Sequence, residues 1–168
     1  MKSWEYGTMS NIHALPPAAF KNPDDCKRFV LAGHATVTLT SEKTGKWFTY
    51  RISQAKDRQT GEPQDFWFVN LLTGPDNSND FTYMGVIGNN GFRLTQKSRL
   101  GAEAPSVKAF QFFWRHLYAG NIPADLTVRH DGTCGRCGRK LTVPSSLASG
   151  LGPECAGKIG LASHPRLL

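Results

Sequence analysis

The sequence predicts an α+β protein: an antiparallel sheet of about five strands packed by one helix, followed by a small cysteine-bearing lobe. Three observations predict it. Alternation of period two recurs in five segments between residues 35 and 98. The period becomes helical over Ser106–Ala119. Three of the four cysteines, Cys134, Cys137 and Cys155, then fall in one glycine-rich stretch, HDGTCGRCGRKLTVPSSLASGLGPECAGKIG.

Residues 1–22, with Pro16-Pro17 and small polar side chains, read as an arm. Asn22-Pro23-Asp24-Asp25 is a helix start, and a short helix to about Ala32 turns Cys26 and Phe29 inward. Cys26 lies far from the other cysteines and reads as a buried structural thiol. In Ala35–Ser41, Val37 and Leu39 alternate with Thr36, Thr38 and Thr40. Glu42–Gly45 is a turn, and Lys46–Ser53 completes a hairpin. A charged loop follows over 54–64. Asp65–Leu72 is the third strand, Gly74–Asp80 has turn chemistry, and Phe81–Ile87 is the fourth strand. Asn89-Asn90-Gly91 is a tight turn into a fifth strand, Phe92–Ser98. In Ser106–Ala119, Val107, Phe110, Trp114 and Leu117 form one helical stripe, with Pro105 at the start and Gly120 past the end. The stripe is expected to pack on the sheet. The organisation expected is an arm (1–22), a sheet-and-helix domain (23–122), a cysteine lobe (126–162) and a tail (163–168).

The chain of 168 residues has 39% hydrophobic side chains, enough for a core and unlike a disordered chain. No apolar run reaches the roughly 20 residues of a membrane span, and MKSWEYGTMS shows no secretory h-region. A cytoplasmic protein is expected, where thiols stay reduced and a disulfide framework is disfavoured. The net charge of +7 and a pI near 9.4 favour acidic partners.

In the cysteine element, C-x2-C lets two thiolates bind one ion from a tight turn. Gly135 and Gly138 flank Arg136-Cys137 and relax the backbone there. Lys140–Val143 can leave the turn as a strand. Gly150–Pro153 then brings Cys155 to the first turn of a short helix from Glu154 to about Leu161. Three thiolates and a fourth ligand would close a structural zinc site. His130 and His164 are the candidates, and the shorter tether favours His130. A thioredoxin-like redox pair is the competing reading of Cys134-Gly-Arg-Cys137. That motif belongs at a helix N-terminus, whereas Gly138 and a strand-like LTV follow here. No acid–base or nucleophile constellation accompanies the cysteines, so no catalytic residues are assigned and no enzyme is expected. His34 and His116 read as structural.

The run C-x2-C-G-R-x-L-T-x-P-x-S-x3-G-x-G-P-x-C, Cys134 to Cys155, resembles a small domain of uncharacterised function common in bacteriophage and prophage proteins. AGHATVTLTSEKTGKWFTYRI, LLTGPDN and the KSR near residue 97 more loosely resemble the longer phage proteins that carry it. The resemblance implies a bound zinc, a phage context in a bacterial host cell, and a histidine just before the knuckle, which His130 matches. It implies no activity.

Function must then come from the residues. Residues 129–168 hold six Lys or Arg against Asp131 and Glu154, an excess of four positive charges. Arg136, Arg139, Lys140 and Lys158 surround the cysteines and suit phosphate contacts. On the fifth strand, period two would put Arg93, Thr95, Lys97 and Arg99 on one face. On the second, it would put Trp47, Thr49, Arg51 and Ser53 on one face and Phe48 and Tyr50 on the other. Aromatic side chains beside Arg51, Arg93 and Lys97 would suit single-strand stacking. The reading is a zinc-containing phage accessory protein that binds nucleic acid through Arg93, Lys97, Arg99, Arg136, Arg139, Lys140 and Lys158. The rival is a phage inhibitor or adaptor that binds a host protein or a defence nucleoprotein complex.

Overall fold

The structure, a computed structural model, describes residues 19–142 and 144–158. Most of the expected arm, the end of the last helix, His164 and the tail lie outside the described residues.

Helix α1 spans Pro23–Val30. Asn22 caps it: its side-chain oxygen accepts from the N–H groups of Asp24 (2.8 Å) and Asp25 (3.2 Å). Pro23 takes the first helical position, where no N–H is needed. Cys26, Phe29 and Val30 face inward and are fully buried. Strands β1 (His34–Ser41), β2 (Trp47–Lys56), β3 (Pro63–Leu72) and β4 (Phe81–Gly88) form an antiparallel meander. Their alternation has the expected cause. Ala35, Val37 and Leu39 of β1, Tyr50 and Ile52 of β2, and Val69 and Leu71 of β3 are buried, while the residues between them are not.

Helix α2 spans Pro105–Tyr118 and covers this buried face with Val107, Phe110, Phe113, Trp114 and Leu117. The Tyr50 hydroxyl donates to the Ser106 carbonyl at 2.7 Å. The Phe110 ring packs 4.9 Å from both Tyr50 and Phe92. Each such ring contributes about 1.5–3 kcal/mol by leaving water. Tyr50 is therefore core, not part of a stacking surface.

Two elements of the sheet depart from expectation. The sheet has a sixth strand, β6 (Leu126–His130), which pairs antiparallel with β1 and, with β5 (Gly91–Arg93) at the other edge, gives the order β5-β4-β3-β2-β1-β6. Residues 126–130 thus belong to the sheet rather than to the cysteine lobe. Strand β5 is only Gly91–Arg93. Beyond it the Ser98 hydroxyl accepts from the Thr95 N–H (2.8 Å), and the Ser98 N–H donates to the Thr95 carbonyl (3.0 Å). That turn breaks the period-two pattern, so Arg93, Lys97 and Arg99 do not share a strand face. Arg51 is also committed. It stacks 4.0 Å over the Phe81 ring and donates to the carbonyls of Asn77 and Ser78, holding the β3–β4 loop.

Candidate metal centre

The cysteine lobe hangs from the end of β6. At its entrance the side chain of Asp131 accepts from the N–H and hydroxyl of Thr133. Thr133 then bridges Lys140, closing a loop around the C-x2-C pair. Inside it, the Cys134 N–H donates to the Arg139 carbonyl and the Gly138 N–H to the Cys134 carbonyl, both at 2.8 Å. Gly138 has φ +78°, a conformation that disfavours a side chain. The loop leads through Leu141 to helix α3 (Pro144–Ser149), and residues 153–158 form a further helical turn carrying Cys155. Helix α3 is an addition to the elements expected from the sequence; Pro144 begins it, as at an N1 position.

This path brings the three sulfur atoms of Cys134, Cys137 and Cys155 within 4.8 Å of one another. Four ligands around a tetrahedral ion with bonds near 2.3 Å stand about 3.8 Å apart, so the three thiols fit one ion with small adjustments. The surrounding donors fit thiolates. The N–H groups of Arg136 and Gly152 each donate to the Cys134 sulfur at 3.4 Å. The Arg136 guanidinium stands 3.8 Å from the Cys155 sulfur. Burial alone would raise the Cys134 pKa. The hydrogen bonds from Gly152, Cys137 and Arg136 outweigh it and bring the thiol down to about 7. Burial holds Cys155 above the ordinary range, and Arg136 opposes that rise. Cys134 and Cys155 are buried and Cys137 is exposed, so the cluster opens at the lobe surface.

All four cysteines are free thiols. Cys26 is buried on α1, and burial pushes its pKa far up. The pair Cys134–Cys137 opens into the Lys140 bridge, not into a helix, so the geometry of a thioredoxin-type thiol is absent.

His130 requires a correction. The structure does not bring it to the thiols. Its ring is buried beside Phe20 (5.3 Å) and Phe29 (5.4 Å). Nδ1 accepts from the Gly132 N–H at 2.9 Å, which leaves the proton on Nε2, directed at the Leu147 carbonyl 2.6 Å away. Both nitrogens are engaged. Strand β6 explains this: period two puts His130 on the same inward face as Val128. The alternative candidate, His164, lies outside the described residues.

Sequence reasoning misses one residue that holds the lobe. Phe29 of α1 presses on Gly135 and Gly150, and a Cβ at Gly135 would stand 2.5 Å from the Phe29 ring. The Gly135 N–H also donates to the Gly150 carbonyl at 2.8 Å. The inward stripe of α1 is the available signal, but its partner lies about 100 residues on.

The basic residues divide into two groups. Arg136, Arg139, Lys140 and Lys158 are exposed on the lobe, beside exposed Arg129 of β6. Arg93, Lys97 and Arg99 are exposed at and beyond β5. Those two strands are opposite edges of the sheet, five strand spacings or about 24 Å apart along it.

Among the described residues no helix is long and apolar enough to cross a membrane. No curated protein and no solved structure matches the chain. Residues 124–160, which contain β6 and all three clustered cysteines, match the model of a family of unknown function, DUF6011.

Proposed function

We propose that the chain is a zinc-stabilised nucleic-acid-binding protein, an accessory factor of phage origin, whose cysteine lobe is the main phosphate-contacting surface. Zinc is the ion of choice for a set of clustered thiolates in a glycine-rich turn. The ion would hold the lobe's shape. Exposed Arg and Lys around it would neutralise phosphates.

The observation that carries this reading is the unpaired charge on the lobe. Each ion pair among the described residues lies elsewhere: Arg28 with Asp25, Lys43 with Asp125, and Lys108 with Glu103. Arg129, Arg136, Arg139, Lys140 and Lys158 are exposed and make no ion pair among the described residues. Five positive charges face only Asp131 and Glu154 in the stretch 129–158. Asp131 is turned back on Thr133.

A gel-shift series of the zinc-loaded protein against single- and double-stranded DNA and RNA tests the proposal. Binding that weakens steeply with salt is expected. Failure to bind any of them at low salt sinks it. A host protein that co-purifies stoichiometrically and survives nuclease would instead support an inhibitor or adaptor.

A further inference from the structure

We infer that His34, on the first strand and 100 residues before Cys134, is the fourth ligand of the metal bound by Cys134, Cys137 and Cys155. The inference rests on the metal reading of the cysteine cluster and adds a ligand to it.

A closed structural site of this type takes four protein ligands. Among the described residues the cluster supplies three. His130 is engaged at both ring nitrogens, and Asp131 is bonded to Thr133 in its own turn.

His34 begins β1, where that strand reaches the knuckle. Its N–H donates to the Gly135 carbonyl at 2.6 Å, so the backbone beside the C-x2-C turn is fixed to the backbone of His34. Its ring lies against Gly138, the residue after Cys137. A Cβ built on Gly138 would stand 3.4 Å from the His34 Cδ2 and 3.8 Å from its Nε2. Glycine at 138 permits φ +78°, and these distances place the His34 ring in ordinary contact range of that position.

The imidazole is also available. His34 is exposed, and neither ring nitrogen hydrogen-bonds to a described residue. The contrast with His130 is chemical: one imidazole is spent on packing and two hydrogen bonds, while the other has no ring hydrogen bond to a described residue and lies against Gly138, the residue next in sequence to the exposed Cys137. His34 stands outside the cluster in which every donor is within 4.8 Å of every other. Coordination therefore requires the ring to turn toward the thiols, and an exposed ring can turn without disturbing the core. Coordination would join the lobe to β1 through a metal bond, beside the Phe29 packing, the His34–Gly135 backbone hydrogen bond and the His130–Leu147 hydrogen bond that already hold it.

The test uses the full chain, reduced and loaded with Zn²⁺ or Co²⁺. Zinc affinity is measured by chelator competition, and the cobalt form by its visible absorption, which reports ligand type and number. His34→Ala should weaken zinc binding by more than about 10-fold, the effect that removing even an outer partner of a ligand produces, and should shift the cobalt bands. His34→Cys should restore tight binding with the spectrum of a four-thiolate site. Unchanged affinity and spectrum in His34→Ala would overturn the assignment, as would His34→Cys giving the three-thiolate spectrum. If His34→Ala is neutral while His164→Ala releases the metal, the fourth ligand is His164 and the inference fails alone. Wild-type protein that takes up neither ion removes the metal reading itself.

Discussion

The Nε2–H of His130 donates to the carbonyl of Leu147 at 2.6 Å, tying the end of the edge strand β6 to helix α3 of the cysteine lobe. The histidine expected to hold a metal instead holds two parts of the fold together, as a neutral imidazole with a fixed tautomer. Replacing it with Ala removes a buried ring and its hydrogen bonds. The expected destabilisation is about 2–4 kcal/mol, read by chemical denaturation of the metal-loaded protein, with metal stoichiometry retained. Release of the ion at full folding would return His130 to the ligand set.

His130 also sets a pH dependence. Burial depresses its pKa below the usual 6.5, against the opposing pulls of the Leu147 bond and of Asp131. Below pH 6.5 the unfolded chain takes up a proton that the folded chain refuses. Stability is therefore full above that pH and falls as the pH drops toward the folded-state pKa. In a pH series on metal-loaded protein, His130→Gln should flatten this fall relative to wild type. Parallel curves for the two proteins would assign the acid sensitivity to other groups, the thiolates first.

Phe29 and Gly135 form the second joint of the lobe. Gly135→Ala puts a methyl group into the Phe29 ring, an overpacking expected to cost about 1–3 kcal/mol. Trimming the ring in the double variant Gly135→Ala/Phe29→Leu should recover part of that stability. A strictly additive double variant would mean that the ring and the glycine do not press on one another.

The meander and the helices α1 and α2 were legible because each buries one face. Val37, Leu39, Tyr50, Ile52, Val69 and Leu71 print the sheet's period on the sequence, as Phe110, Trp114 and Leu117 print the helix's. The same signal existed for β6, where Val128 and His130 alternate with Thr127 and Arg129. Closeness in sequence to Cys134 suggests a metal ligand, but the same alternation places His130 inside the sheet. The false extension of β5 has a different cause. Thr95 to Ser98 are all polar, so hydrophobic periodicity carries no signal there, and a Ser hydroxyl that closes a turn leaves no trace in it. The cysteine cluster was readable from spacing. The approach of His34 was not, because it depends on β1 lying next to β6 in the sheet.

Metal removal should act on one part of the molecule. Cys134 and Cys155 belong to a small apolar cluster with Leu141 and Leu151, separate from the main core that contains Tyr50, Phe110 and Val128. Chelation should expose the amides of the cysteine lobe to hydrogen exchange, while β1–β4 keep their protection. Cys26→Ser should retain about one ion per chain, and Cys134→Ser, Cys137→Ser and Cys155→Ser should each release it, by elemental analysis of reduced protein. Chelation that melts the sheet and lobe together would show that the ion supports the whole fold.

The two basic groups make the sharpest test of nucleic-acid binding, because the sheet separates them. Arg136, Arg139 and Lys140 lie on the lobe, and Arg93, Lys97 and Arg99 on the opposite edge about 24 Å away along the sheet. Each phosphate deprived of its Lys or Arg should flatten the dependence of log affinity on log salt by about 0.9 for duplex DNA and about 0.7 for a single strand. The lobe triple-alanine variant, which removes three cations, should therefore lower the slope by on the order of 2 units for a single strand. Arg136 also faces the Cys155 sulfur at 3.8 Å, so metal content must be measured beside binding. The variant retaining Arg136, Arg139→Ala/Lys140→Ala, separates charge from metal release. The edge triple variant should change the slope only for ligands long enough to reach both edges, and should leave short oligonucleotides unaffected. If instead short oligonucleotides bind the edge variant more weakly and the lobe variant as well as wild type, the binding surface is β5 and its turn, and the cysteine lobe is a structural or protein-binding element.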